Sequence, residues 1–337
     1  MRHAVWQKER RARLIMGREI KSTVIIPNYN GMRYMENCLR ALEGEPAHLI
    51  VVDNGSTDGS REFIRDRFPA VQLVCLERNY GFCRAVNVGV EHSNTPYVIL
   101  LNNDTEVEPG FVRSLERPLE RHAGIFSGSA QMRNLHRPEL IDDAGDYYCA
   151  LGWAFACGKD KPVESYQTGR EIFAACGGAA IFRKDVLERI GGLDENHFAY
   201  LEDIDLGYRA RIYGYRNLYI PEAVVYHAGS GASGSRYNQF KVDLSSRNSI
   251  YLLYKNMPMA QILLNLPFLF AGFAIKTLFF LKKGLGMEYI RGLGRGIRLC
   301  ASEEGRRHKM AFRSQNWRHY VVIQLELWRN IWYRVSK

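Results

Sequence analysis

Cysteine pairs, a glycine-rich phosphate loop, a secretory leader and repeated membrane spans are all missing from this chain of 337 residues. Its seven cysteines include no Cys-x-x-Cys pair, and several sit in apolar runs as buried free thiols do. This removes a thiolate zinc site and a redox pair from consideration and points to a reducing compartment. No long apolar stretch follows the basic N-terminal residues, so no signal peptide is expected. The first expected strand–helix turn has no Gly-x-Gly-x-x-Gly, which argues against dinucleotide binding. Nor does that turn, Asn28-Tyr29-Asn30-Gly31, carry the Lys or Arg with which a nucleotidyltransferase would grip a triphosphate.

What is present describes an ordinary globular chain, 46% apolar and 24% charged, of one large domain or two. The net charge of +10 is unevenly placed: residues 1–21 carry +5 and residues 282–337 carry +9, which leaves −4 for 22–281. A mildly acidic body with basic ends suits an anionic membrane surface better than a polynucleotide groove. Residues 1–21 are expected as a basic arm, 22–235 as the folded body and 236–337 as a helical, basic, membrane-associating region.

Short apolar runs alternate with helical spacing over the first hundred residues. Strands are expected at Ser22–Pro27, His48–Asp53, Val71–Leu76 and Tyr97–Leu101, with helices at 32–42, 58–68 (capped by Asp58) and from Asn79 onward. That alternation predicts a doubly wound, mostly parallel sheet. Ligands of such sheets bind beyond the carboxyl ends of the strands. There the sequence places Asn28 and Asn30, then Asp53, then Asn102, Asn103 and Asp104. Asp104 offers a carboxylate oxygen and Asn102 a carbonyl oxygen, suited to a hard divalent cation bridging a diphosphate. A run of Asx turns is the plain alternative for any one strand end, but a poor account of three together.

Pro27-Asn-Tyr-Asn-Gly31, Val52-Asp-Asn-Gly-Ser-Thr-Asp-Gly59, Asn79-x-Gly81-Phe and Leu101-Asn-Asn-Asp104 resemble the inverting GT-A glycosyltransferases of family 2. The likeness is nearest to bacterial rhamnosyltransferase-type members that build surface polysaccharide, and it spans roughly residues 22–230. It implies a GT-A α/β fold and a dTDP- or UDP-linked sugar donor held by Pro27, Asn28, Tyr29, Asn30, Asp53, Asn79, Gly81, Arg84, Asn102 and Asn103. It also implies a DxD-like metal motif ending at Asp104, with Asn102 where the first acid usually stands.

Further on, Ile125–Met132 reads as a strand and Asp142–Trp153 as a loop or hairpin near the acceptor. Gly177-Gly178 precedes another apolar strand; the resemblance assigns this glycine pair to the donor-sugar pocket. Glu202-Asp203-Ile-Asp205 opens a helix in which Asp205 and Arg209 are an i,i+4 pair. Three carboxylates in four residues repel one another and raise at least one pKa, as a general base requires. Spacing alone leaves Glu202 and Asp203 equal; the resemblance makes Asp203 the base and Glu202 its support, with Asp205 and Arg247 near the sugars. His227, after the strand Leu218–Tyr226, is either structural or a metal ligand; relatives use such a histidine, and imidazole suits Mn²⁺ better than Mg²⁺. Gly229–Ser235 fits a loop closing over the donor. No carboxylate is placed to form a glycosyl-enzyme, so a single inverting displacement is expected.

Residues 262–281 contain thirteen large aliphatic or Phe residues. Their gain of about 6 kcal/mol is offset by about 3 for Lys276 and by Asn265, Pro267 and Gly272. A helix or re-entrant hairpin in the membrane interface is expected rather than a span. The processive-synthase pattern Gln-x-x-Arg-Trp is missing, since Gln315-Asn-Trp-Arg318 has another order. The expectation is one sugar, possible donors including rhamnose, added to a lipid-linked glycan at the cytoplasmic face of the plasma membrane. A sugar nucleotidyltransferase and a non-catalytic glycan-binding scaffold are the alternatives.

Overall fold

A computed structural model describes residues 19–229 and 237–335. Most of the basic arm expected over 1–21, and the loop expected over 229–235 beyond Gly229, lie outside the described residues.

Successive residues of a strand face opposite ways, and here both ways are dry. In β1 (Ser22–Asn28), Val24 and Ile26 enter one apolar layer and Ile25 the other. β2 (Ala47–Asp53) sends Val51 to the first layer and Ile50 and Val52 to the second. Beyond β3 (Gln72–Cys75), β4 (Tyr97–Leu101) divides in the same way, Ile99 and Leu101 against Val98 and Leu100. A sheet covered on both faces explains why these strands read as unbroken apolar runs.

The rest of the sheet comes from β5 (Thr105–Val107), β6 (Ile125–Asn134), β7 (Arg137–Asp143), β10 (Arg170–Ile172), β11 (Ala179–Arg183) and β12 (Arg216–His227). The order is β10-β12-β6-β11-β4-β1-β2-β3, with β5 on β12 and β7 on β6. β4-β1-β2-β3 and the β6–β12 pair are parallel, while β11 runs antiparallel between β4 and β6. A separate hairpin, β8 (Asp146–Cys149) with β9 (Trp153–Ala156), resolves the loop-or-hairpin alternative for that stretch. Asp58 lies one residue before the N-cap of the helix Ser60–Arg67, which is Gly59. Its carboxylate instead accepts the Ser60 and Met32 amides, tying two helix starts together.

The C-terminal part is helical: Gln239–Asn256, Met259–Lys282, Gly286–Ala301, Glu303–Arg307 and Trp317–Val335. Met259–Lys282 is one continuous helix through Pro267, not a re-entrant hairpin. Its polarity is inverted. The buried residues Gln261, Asn265, Leu269 and Gly272 share a face, and Asn265 exchanges amide hydrogen bonds with Gln324 at 2.8 Å both ways. Leu263, Leu266, Phe270 and Leu278 point outward, each more than half exposed. Such a helix gains nothing from water on its outer side.

Candidate functional site

Asn28, at the end of β1, organises the strand tips. Its Nδ2 donates to Asp53 Oδ2 (2.8 Å) and Ser60 Oγ (2.9 Å), and its Oδ1 accepts from Asn103 Nδ2 (2.8 Å). Across β4, the Asn102 amide donates to Gly178 O at 2.9 Å. A Cβ on Gly178 would press on the Asn102 amide at 3.1 Å, so the glycine brings two distant stretches together. These tips form one wall of a cleft of 1160 Å³, large enough for a nucleotide sugar and part of a second substrate.

The last residue of β12 pairs with the first of β5, His227 opposite Thr105, and this register sets His227 beside Asp104. His227 Nε2 lies 3.2 Å from Asp104 Oδ1, and His227 Nδ1 lies 2.8 Å from Asp142 Oδ2. Lys159 contacts the other Asp142 oxygen. Burial opposes charge on His227, but hydrogen bonds to Asp104 and Asp142 prevail and push its pKa up to about 9. Two ligands of one small cation, each at about 2.1 Å and at right angles, sit about 3.0 Å apart. Asp104 and His227 therefore fit a divalent cation, with Asp142 accepting the hydrogen bond of Nδ1–H so that Nε2 presents its lone pair.

Four carboxyl groups crowd together at the cleft, three of them (Asp143, Glu202 and Asp203) in its lining. Burial raises Asp143 to about 7 and Glu202 to about 8, Asp203 adding to the rise at Glu202, and lifts Asp146 well above the ordinary range. Asp203 is also raised by burial, but a hydrogen bond with Asp146 and one from the Ile204 amide (2.7 Å) favour its charge. Asp146 is thus the proton donor of the pair and Asp203 the carboxylate. Glu202 Oε2 is buried with no hydrogen-bond partner.

The turn presenting these acids is strained. Phe198, Tyr200 and Leu201 all have positive φ, at 61°, 70° and 66°. Such backbone persists only where its surroundings over-determine it, and it clusters at functional sites. Here Asn248 Nδ2 lies within 2.7–2.9 Å of the carbonyls of His197, Ala199 and Tyr200.

A sequence model of the glycosyl transferase family 2 domain matches residues 23–191, just over half of the chain. The chain belongs to glycosyltransferase family 2. It is 26% identical over 239 residues to the N-acetylglucosaminyl-diphospho-decaprenol L-rhamnosyltransferase of Mycobacterium tuberculosis, covering 63% of this chain and 77% of that protein. It is 24% identical over 210 residues to the dTDP-rhamnosyl transferase RfbF of Shigella flexneri, covering 60% and 68%. Its fold matches S. aureus TarS in complex with UDP-GlcNAc at a TM-score of 0.54 and 18% identity, over 86% of this chain and 84% of the other. It matches GalNAc-T7 with UDP, GalNAc and Mn²⁺ at 0.57 and 16% identity, over 70% of this chain and 48% of that one.

In this family 2 glycosyltransferase the cleft is lined by Pro27, Asn28, Tyr29, Asn79, Asn102, Asn103, Asp104, Gly177, Gly178, Glu202, Asp203 and His227. Six other expected residues are not in its lining. Asn30 turns outward, its Oδ1 accepting the Thr57 amide. Asp53 is fully buried, its oxygens taken by Asn28, the Ser56 amide and Arg61. Gly81, at φ 92°, starts the helix Phe82–His92, and its carbonyl accepts from Asn54. Arg84 pairs with Glu195 at the surface. Arg247 holds the carbonyls of Asn196 and His197. Asp205 lies two residues beyond Asp203 on a helix, about 200° round, and is buried with Arg209, Lys255 and Asn256. Asp142, Asp143 and Asp146 carry more of the site than their sequence revealed, although three acids in five residues were a visible signal.

Proposed function

We propose that this enzyme is a metal-dependent inverting hexosyltransferase. It moves one sugar, for which rhamnose is the leading choice, from a dTDP- or UDP-linked donor to a hydroxyl of a lipid-linked glycan in surface polysaccharide synthesis. The observation that carries this reading is a single cleft lined by Asp104, His227, Glu202 and Asp203, with Asp146 hydrogen-bonded to Asp203. The two rhamnosyltransferase relatives support the choice of donor and acceptor.

A divalent cation bound by Asp104 and His227 would neutralise charge gathering on the departing nucleoside diphosphate. Asn28, Asn79, Asn102 and Asn103 offer amides to the nucleotide, and Gly177-Gly178 leaves room for the sugar. Asp203 takes the proton of the acceptor hydroxyl as it attacks from the face opposite the diphosphate, and Asp146 keeps Asp203 oriented. The outward apolar face of Met259–Lys282, followed by basic residues, supports seating in the interface of an anionic membrane on its cytoplasmic side. The body 22–235 and the tail 236–337 remain our division of the chain.

The test is nucleoside diphosphate release from a panel of sugar nucleotides, with lipid-linked saccharides as acceptors and Mn²⁺ or Mg²⁺ present. Release that depends on the acceptor, with the sugar recovered on lipid, is expected. Pyrophosphate as product would identify a nucleotidyltransferase, and no turnover with any donor a scaffold.

The metal assignment makes its own prediction. Asp142→Asn should weaken Mn²⁺ binding by about 10- to 100-fold, because the residue that fixes the imidazole is lost. Titration followed by Mn²⁺ paramagnetic resonance reads this without turnover, and unchanged affinity would detach His227 from the cation.

A further inference from the structure

The wall of the cleft nearest the apolar helix carries two cations that the sugar-transfer chemistry above does not use. Lys276 Nζ lies 5.7 Å from the centre of the Trp153 ring, and the Arg334 guanidinium lies 5.9 Å from the same ring and 5.9 Å from Phe155. Trp153 is fixed to the helix Met259–Lys282 by its Nε1, which donates to Gly272 O at 3.0 Å. All four side chains line the cleft. Among the described residues no carboxylate pairs with Lys276 or Arg334, whereas Lys255, Arg209 and Arg211 all have acidic partners. Lys276 is half-buried and Arg334 exposed, and two like charges beside one indole repel one another when no counter-ion is present. Burial pushes the Lys276 ammonium down to about 8, with Arg334 adding repulsion. An anion bound between them would relieve both.

We propose that Lys276 and Arg334 bind the diphosphate of a polyprenyl-diphosphate acceptor. This deepens the functional reading above and rests on it. The neighbours Ile275 and Phe279 are 51% and 39% exposed on the outward side of the helix. They give the prenyl chain an apolar path from the diphosphate into the bilayer. The donor diphosphate has its own proposed place at Asp104 and His227.

The full chain is titrated in detergent micelles with geranylgeranyl diphosphate, with geranylgeraniol and with UDP plus Mn²⁺, following tryptophan fluorescence. The diphosphate lipid should bind at least tenfold more tightly than the alcohol. The double change Lys276→Gln, Arg334→Gln should abolish that preference and leave UDP affinity and the melting temperature unchanged, and Lys276→Arg should keep it. The idea is overturned if the parent shows no preference, if the double variant keeps it, or if UDP affinity falls to the same degree, which would assign the cations to the donor. These outcomes are read without catalysis. Failure of lipid binding is therefore separate from failure of sugar transfer, which the release assay reports.

Discussion

Asp203→Asn should lower kcat by about 10²- to 10⁴-fold, the range in which a positioned general base acts, and leave donor affinity intact. The choice of Asp203 over Glu202 follows from which carboxyl can hold charge. Asp203 receives hydrogen bonds from the Ile204 amide and the Asp146 acid, whereas Glu202 Oε2 has no partner and burial raises that group to about 8. Glu202→Gln should therefore cost less. Asp146→Asn should keep most activity, because an amide still donates to Asp203. A raised pKa leaves Asp203 protonated at low pH, so the rate should fall on the acid side and recover as pH rises. Single-turnover transfer with saturating donor is the measurement. A larger loss from Glu202→Gln than from Asp203→Asn would move the role to Glu202.

Lys255→Met should destabilise the fold by about 3–5 kcal/mol, the usual result of leaving a buried charge without its partner. Lys255 Nζ bridges Asp194 at 2.7 Å and Asp205 at 2.9 Å, and all three side chains are at least 96% buried. Met matches the length of the stem but cannot meet either carboxylate. In differential scanning calorimetry the melting temperature should fall on the order of 10 °C. The pH dependence should change as well. Burial works against the charge on Asp194, but Lys255 outweighs it and holds the carboxyl down to about 2; Asp205 is depressed further by Arg209 and Lys255. Depressed carboxyls stabilise the fold above their unfolded pKa, about 4, and that stability is lost as pH falls through the folded value. The parent should thus lose stability steeply below pH 4, and the variant should start lower and decline less. A variant that melts with the parent would show Lys255 to be dispensable.

Much of this was legible in the sequence because strand tips announce themselves. Three of the four apolar runs stop at an Asx residue, and Asn28, Asn102 and Asp104 lie in the cleft as expected of strand ends. Family likeness put Asp203 ahead of Glu202, a choice that spacing alone left open. Other features left no local trace. The direction of β11 is invisible in Ala179-Ala-Ile-Phe-Arg183. Asp142 meets His227 only because β6 lies between β7 and β12 in the sheet. Asp205 looked like a third member of the acid group until helical rotation carried it into the opposite side of the turn. Arg84 and Arg247 had suitable chemistry, and only packing shows that one faces Glu195 and the other the backbone carbonyls of Asn196 and His197. Pro267 counted only against membrane insertion, and the helix runs through it.

The strained turn at 198–201 bears on how this enzyme can be cut and recombined. Its geometry is held by Asn248, and the preceding Asp194 is locked to Lys255, so both clamps come from the helix Gln239–Asn256. A fragment ending at residue 235 would retain the strand tips yet release the acids from their mould. Chimeras with a relative should therefore be joined before Asp194, so that acid, turn and clamping helix are inherited as one piece.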